Sequence, residues 1–148
     1  MKYIQFKSRT FYQGFISPEP EVIFVFGSNP EGRHGAGAAK IARLQFGAVY
    51  GNGEGLQGRA YALPTKDLRV KANNGYRSIS PERIMQSIRK LYAVARQNPE
   101  LKFCIAYTNT ESRSLNGYTG YEMAGMFAKA EDSIPENIIF SENWKNLF

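Results

Sequence analysis

The sequence holds one cysteine, one histidine and one tryptophan in 148 residues. A lone Cys104 excludes an internal disulfide and leaves no thiol cluster for a metal. No stretch approaches the roughly 20 apolar residues that a membrane helix needs. The opening MKYIQFKSRTFYQGF is too broken by polar residues to serve as a secretory signal. These absences lead to an expectation of cytoplasmic residence with no membrane partner, and nothing calls for a metal or another cofactor. A dense basic block is missing as well. Nineteen Lys and Arg against thirteen Asp and Glu leave a charge of +6, but the cations are spread from Lys2 to Lys145. Such a surplus attracts anions of every kind. A dedicated nucleic-acid binder more often gathers its cations on one face or tail. The spread suits a small phosphorylated ligand, with sequence-independent nucleic-acid binding as an alternative.

What is present describes one domain over residues 1–148. Hydrophobic residues at 43% argue against disorder, and the length is enough for a core. MKYIQF alternates like an edge strand, and SPEP over residues 17–20 bars regular structure. Val22 to Phe26 is a continuous apolar run, as in a strand covered on both faces. Ala38, Ile41, Ala42 and Gln45 recur at helical spacing between Gly35 and Phe46. Five glycines in the twelve residues from Gly47 to Gly58 read as a loop. Tyr61 to Leu63 is a short strand ended by Pro64, and residues 67–79 form a polar excursion. Ser80 suits an N-cap with Pro81 in the first turn, and Ile84, Ile88, Leu91 and Ala95 make an apolar stripe that Asn98-Pro99 ends. Leu101 to Tyr107 is a second buried strand. Thr119 and Glu122 match a capping box, before a helix that turns Met123, Met126 and Phe127 inward. Asn137 to Phe140 closes the series as a strand, with a short terminal helix capped by Ser141. Alternating strands and helices predict an α/β fold with a mostly parallel central sheet.

Ligands of open α/β sheets sit beyond the carboxyl ends of the strands. Three segments occupy such positions: Gly27 to Gly37, Pro64 to Asp67 and Thr108 to Tyr118. The first, in VIFVFGSNPEGRHGAGAAK, would place unpaired N–H groups at a helix N-terminus, a ready anion site. It matches neither the P-loop nor the dinucleotide fingerprint, because Ala-Ala follows Gly37 and Lys40 stands where a third glycine would. Phosphate binding and an ordinary start to a helix both fit. His34 could act as a general base or hold a phosphate, or be a simple hydrogen-bonded side chain. Asn29 could cap the turn or meet a ligand hydroxyl. Asp67 and Glu54 are the acids expected nearest the cleft. Tyr118 and Tyr121 could stack on a base or ribose, or pack in the core. Cys104, mid-strand, reads as inert core.

The segments VIFVFGSNPEGRHGAGAA, RAYALPTKD, ESRSLNGYTGYEMAGMF and IPENIIFSENWKNLF together resemble the macrodomain family, and more closely a divergent macrodomain-like group of bacteria and their phages. The resemblance covers most of residues 20–148. It implies a three-layer α/β/α sandwich that binds ADP-ribose or a related nucleotide. It assigns Asn29 to the distal ribose, with Gly27 and Ser28 at the strand end beside it. Gly35, Ala36 and Gly37 would give N–H groups to the diphosphate. Ser114, Leu115, Asn116 and Gly117 would form the opposite wall, with Tyr118 beside the distal ribose. Several family members hydrolyse ADP-ribose-1″-phosphate or an ADP-ribosyl linkage. In such a reaction Asn29 would orient the ribose, and His34 or a water activated by the substrate's own phosphate would supply the nucleophile. A non-catalytic binder, sequestering a nucleotide signal or reading ADP-ribosylated partners, is the alternative. Two positions depart from the family pattern: Ser114 stands where glycine is usual, and Val22 where an acid commonly meets adenine.

Overall fold

A computed structural model describes residues 1–148. Seven strands form one sheet: β1 (Lys2–Phe6), β2 (Arg9–Gln13), β3 (Val22–Ser28), β4 (Gly55–Gln57), β5 (Ala60–Pro64), β6 (Lys102–Ile105) and β7 (Ile138–Ser141). Three α-helices connect them: α1 (Gly37–Gln45), α2 (Pro81–Gln97) and α3 (Gly120–Lys129). Short 3-10 turns lie at Ala72–Gly75 and Glu142–Leu147. No helix is long and apolar enough to cross a membrane.

The strand order is β1-β2-β7-β6-β3-β5-β4. The four inner pairings are parallel, whereas β1–β2 and β4–β5 are antiparallel. The sheet is therefore mixed, not mostly parallel as expected. Connection length is the reason. Lys7-Ser8 and Gly58-Arg59 each join neighbours through two residues, and a chain that turns back so tightly must run antiparallel. The parallel strands are joined by long crossovers, three of which carry helices.

Alternation along β3 assigns the two faces. Ile23 and Val25 join Tyr61, Leu63, Phe103 and Ile105 in the larger core, under α2 and α3. Phe24 and Phe26 face the other way, toward Ala39, Ala42 and Phe46 of the α1 segment. Helices thus cover both faces. The stripe expected on α2 is wholly buried, and Met123, Met126 and Phe127 of α3 are buried against the same core. On α1 the buried positions are Ala39 and Ala42, while Ile41 is 43% exposed, so the helix is rotated from the expected face. Stacking of Phe46 on Phe24, with centroids 4.5 Å apart, sets that rotation. Cys104 is buried, and burial pushes its thiol up to about 12.

Candidate functional site

The parallel strands β3, β5 and β6 deliver their carboxyl ends to one side of the sheet. A cavity of about 610 Å³ opens there, within the usual range for ligand pockets. All three expected segments contribute: Gly27, Ser28 and Asn29 from the end of β3, Thr65 and Lys66 after β5, and Thr108, Ser114, Leu115 and Asn116 after β6. Gly35, Ala36 and Gly37 form the wall at the start of α1, across from Leu115. The two turns nearly touch at the rim, because a Cβ on Gly37 would lie 3.5 Å from Leu115 Cδ1. Gly37 has φ +57°, a left-handed conformation that suits glycine.

Both turns carry amides without partners. The N-cap of α1 is Ala36, with no side chain to accept from the first turn. The first helical bond runs from Lys40 N–H to Ala36 O at 3.3 Å. The N–H groups of Gly35, Ala36, Gly37, Ala38 and Ala39 therefore have no acceptor in the protein. In the facing turn, Gly117 N–H donates to Ser114 O and Ser114 N–H to Tyr118 O, both at 2.9 Å, while the N–H groups of Leu115 and Asn116 are unpaired. The cavity is also electropositive. Of 19 lining residues, Arg33 and Lys66 are cationic and none is acidic. Neither cation has a carboxylate within ion-pair distance. Lys66 Nζ instead lies 5.8 Å from the ring centre of Tyr76.

Asn29 lines the cavity and also closes its own turn. Its Oδ1 accepts from Arg33 N–H at 2.8 Å and its Nδ2 donates to Arg33 O at 3.1 Å. One N–H and one lone pair are left over for a second partner. His34, the other residue expected to act in catalysis, does not reach the cavity. His34 is completely buried, edge-on to Phe26 with centroids 5.1 Å apart, and is absent from the cavity wall. Its Nε2 donates to Asn52 O at 2.9 Å, since a carbonyl can only accept, and Nδ1 has no partner. With the Gly51 N–H to Gly32 O bond of 2.8 Å, this contact fastens the 29–35 segment to the 51–53 loop. His34 thus shapes the site from beneath.

Tyr118 likewise lies in the core, donating to Ile79 O at 2.6 Å, and neither it nor Gly117 lines the cavity. Tyr121 is half-exposed on α3. The two acids expected near the cleft face elsewhere. Glu54 lines a separate polar cavity of about 280 Å³, 4.0 Å from Lys90. Asp67 accepts from Arg69 Nε at 3.0 Å and Nη2 at 2.9 Å, and these bonds hold its carboxyl down at about 2.

Sequence reasoning missed Tyr107, which closes the apolar run 101–107 and passes for core. Its hydroxyl lies 3.1 Å from both Thr65 Oγ1 and Asn116 Nδ2. Burial pushes that phenol up to about 12. A Cβ on Gly27 would collide with the same hydroxyl, so glycine at the end of β3 lets Tyr107 reach across. Arg33 was missed too, although it sits in the quoted glycine-rich stretch beside His34.

Comparison with protein-family models, with curated proteins and with solved structures returns no match. The cavity must speak for itself.

Proposed function

We propose that this chain binds a nucleotide of the ADP-ribose type, its diphosphate held between the Gly35–Gly37 and Leu115–Asn116 turns. One observation carries this reading: two turns with unpaired amides face each other across one cavity that contains two free cations and no carboxylate. Anions are favoured at open helix N-termini and near unpaired Arg and Lys. A cationic ligand would meet Arg33 and Lys66 with like charge, and a neutral one would gain hydrogen bonds but no attraction from either cation. The adjoining hydroxyls and amides of Ser28, Asn29, Thr65, Thr108 and Asn109 suit ribose hydroxyls. The macrodomain resemblance adds ADP-ribose to what charge alone would leave as any small diphosphate.

Binding is the primary activity in this reading. The lining residues include no Asp, Glu, His or Cys, and the titratable side chains among them are Arg33, Lys66 and Tyr107, so the wall offers no carboxylate or imidazole to serve as a general base. Hydrolysis at this site would draw its base from a phosphate of the ligand itself.

A thermal-shift panel tests the proposal with ADP-ribose, ADP-ribose-1″-phosphate, NAD, inorganic pyrophosphate and an oligonucleotide. A ligand at a hundredfold its dissociation constant adds about 2.7 kcal/mol of stability, an unmistakable rise in Tm. ADP-ribose and pyrophosphate are expected to stabilise the chain, without phosphate release from the 1″-phosphate. A panel in which no diphosphate stabilises it overturns the proposal. A response confined to the oligonucleotide, falling steeply with salt, would assign the charge to nucleic acid instead.

A further inference from the structure

Tyr107, Thr65 and Asn116 form a hydrogen-bond network whose hydrogens can be counted. Asn116 is oriented independently of the other two, because its Oδ1 accepts from Tyr118 N–H at 2.8 Å. The end facing Tyr107 is therefore the amide nitrogen, which only donates. Tyr107 Oη accepts that hydrogen, and the phenol keeps its own proton through the neutral range. Tyr107 and Thr65 each bring one hydroxyl hydrogen, and the single bond between them uses one of the two, whichever way it runs. No other group of the protein accepts the remaining hydrogen. Thr65 is 2% exposed, and both hydroxyl residues line the cavity.

We propose that this network is a built donor aimed into the cavity, so that the ligand group meeting the Thr65–Tyr107 edge is a hydrogen-bond acceptor. A phosphate, ether or carbonyl oxygen, or an unprotonated ring nitrogen, satisfies it. An ammonium or an amide N–H, each of which only donates, does not. The inference rests on the anion-binding reading and sharpens it from charge to chemistry. In this arrangement Tyr107 Oη, already accepting from Asn116, donates its hydrogen to Thr65 Oγ1, so Thr65 keeps the hydrogen that touches the ligand and Tyr107 is the positioning residue. Asn116 occupies the lone pair of Tyr107, and Gly27 leaves the space that the hydroxyl fills. A chain of aligned donors is also stronger at its free end than an isolated hydroxyl.

Titration calorimetry on the full chain, with inorganic pyrophosphate and ADP-ribose as probes, tests this. Thr65→Val keeps the shape and removes the hydroxyl, whereas Thr65→Ser keeps the hydroxyl. Thr65→Val is expected to weaken the better-bound probe about tenfold, with Thr65→Ser within about twofold of wild type. Tyr107→Phe keeps the ring stacked on Trp144, 6.4 Å between centroids, and should show a loss like that of Thr65→Val without a matching fall in Tm. Thr65→Val binding as tightly as wild type, or Thr65→Ser losing as much as Thr65→Val, overturns the donor assignment while leaving anion binding intact. Should Thr65→Val fail to fold, unchanged affinity in Tyr107→Phe overturns it alone. A wild-type chain that ignores both probes overturns the anion-binding reading and this inference with it.

Discussion

The starts of α1 and α3 lie on the same side of the sheet, each after the carboxyl end of a parallel strand, yet they are finished in opposite ways. At α3 every device is present. Thr119 Oγ1 accepts from Glu122 N–H at 3.1 Å, Glu122 Oε1 accepts from Thr119 N–H at 2.9 Å, and the Arg77 guanidinium donates to both Glu122 oxygens at 2.7 Å. At α1 the cap is alanine and the first turn has no acid. Ser80 caps α2, so two of the three α-helices have their starts closed by a side chain. The start left open is the one on the cavity wall. An unsatisfied helix start is a cost in the empty protein, and here the donors that bear it are those an anion would use.

The largest effect is expected at the closed start. A Cβ on Gly120 would run into the backbone carbonyl of Asn109, which cannot swing aside as a side chain could. Asn109 O also accepts from Trp144 Nε1 at 2.7 Å, so the collision reaches the core. Gly120→Ala should cost about 2–3 kcal/mol in urea unfolding. A loss under about 0.5 kcal/mol would mean that this start is not fixed by packing. The open start should respond the other way. Ala36 has the extended backbone of an N-cap (φ −148°, ψ 159°), so Ala36→Asp can accept from the first turn without strain. It is expected to stabilise the empty protein by about 0.5–1 kcal/mol and to weaken pyrophosphate binding about tenfold or more. Gain of stability with unchanged affinity would separate the α1 amides from the ligand. Loss of stability would refute the open-cap description.

The same contrast explains how much could be read from the sequence. Ser80, Thr119–Glu122 and Ser141 were legible because a cap is a local bargain between a side chain and an amide two or three residues on. The buried strands were legible from their apolar runs, and the three converging segments from their place after those strands. The hairpins were not. Lys7 and Ser8 both take positive φ (50° and 65°) to turn β1 into β2, where Asn-Gly would have announced the turn. Strand β4 hid among the glycines of 47–58 because an edge of three residues carries no pattern. The roles of His34 and Tyr107 were out of reach for a different reason. Their directions depend on partners 18, 42 and 9 residues away, at Asn52, Thr65 and Asn116. Polarity marked His34 for the cavity and an apolar run marked Tyr107 for the core, and distant contacts reversed both.

The smallest effect belongs to the charge at the closed start. Arg77, with the Thr119 amide, holds the Glu122 carboxyl down at about 2, from an ordinary value near 4.5. A carboxyl lowered by folding stabilises the protein above its unfolded value and loses that contribution as pH falls toward its folded one. The stability gap between wild type and Glu122→Gln should therefore be full above about pH 5 and close progressively toward pH 2. Side-chain exposures of 45% for Arg77 and 37% for Glu122 allow water and salt to screen the pair, so the gap is expected below about 1 kcal/mol. Unfolding midpoints of the two chains between pH 2 and 6 read it directly. A gap that stays constant over that window would remove charge from the account of α3, leaving the Thr119 cap and the packing of Gly120 to hold its start. The contrast with α1 would then rest on hydrogen bonds and sterics alone, and the cavity's preference for anions would owe nothing to how this protein balances charge at its other helix starts.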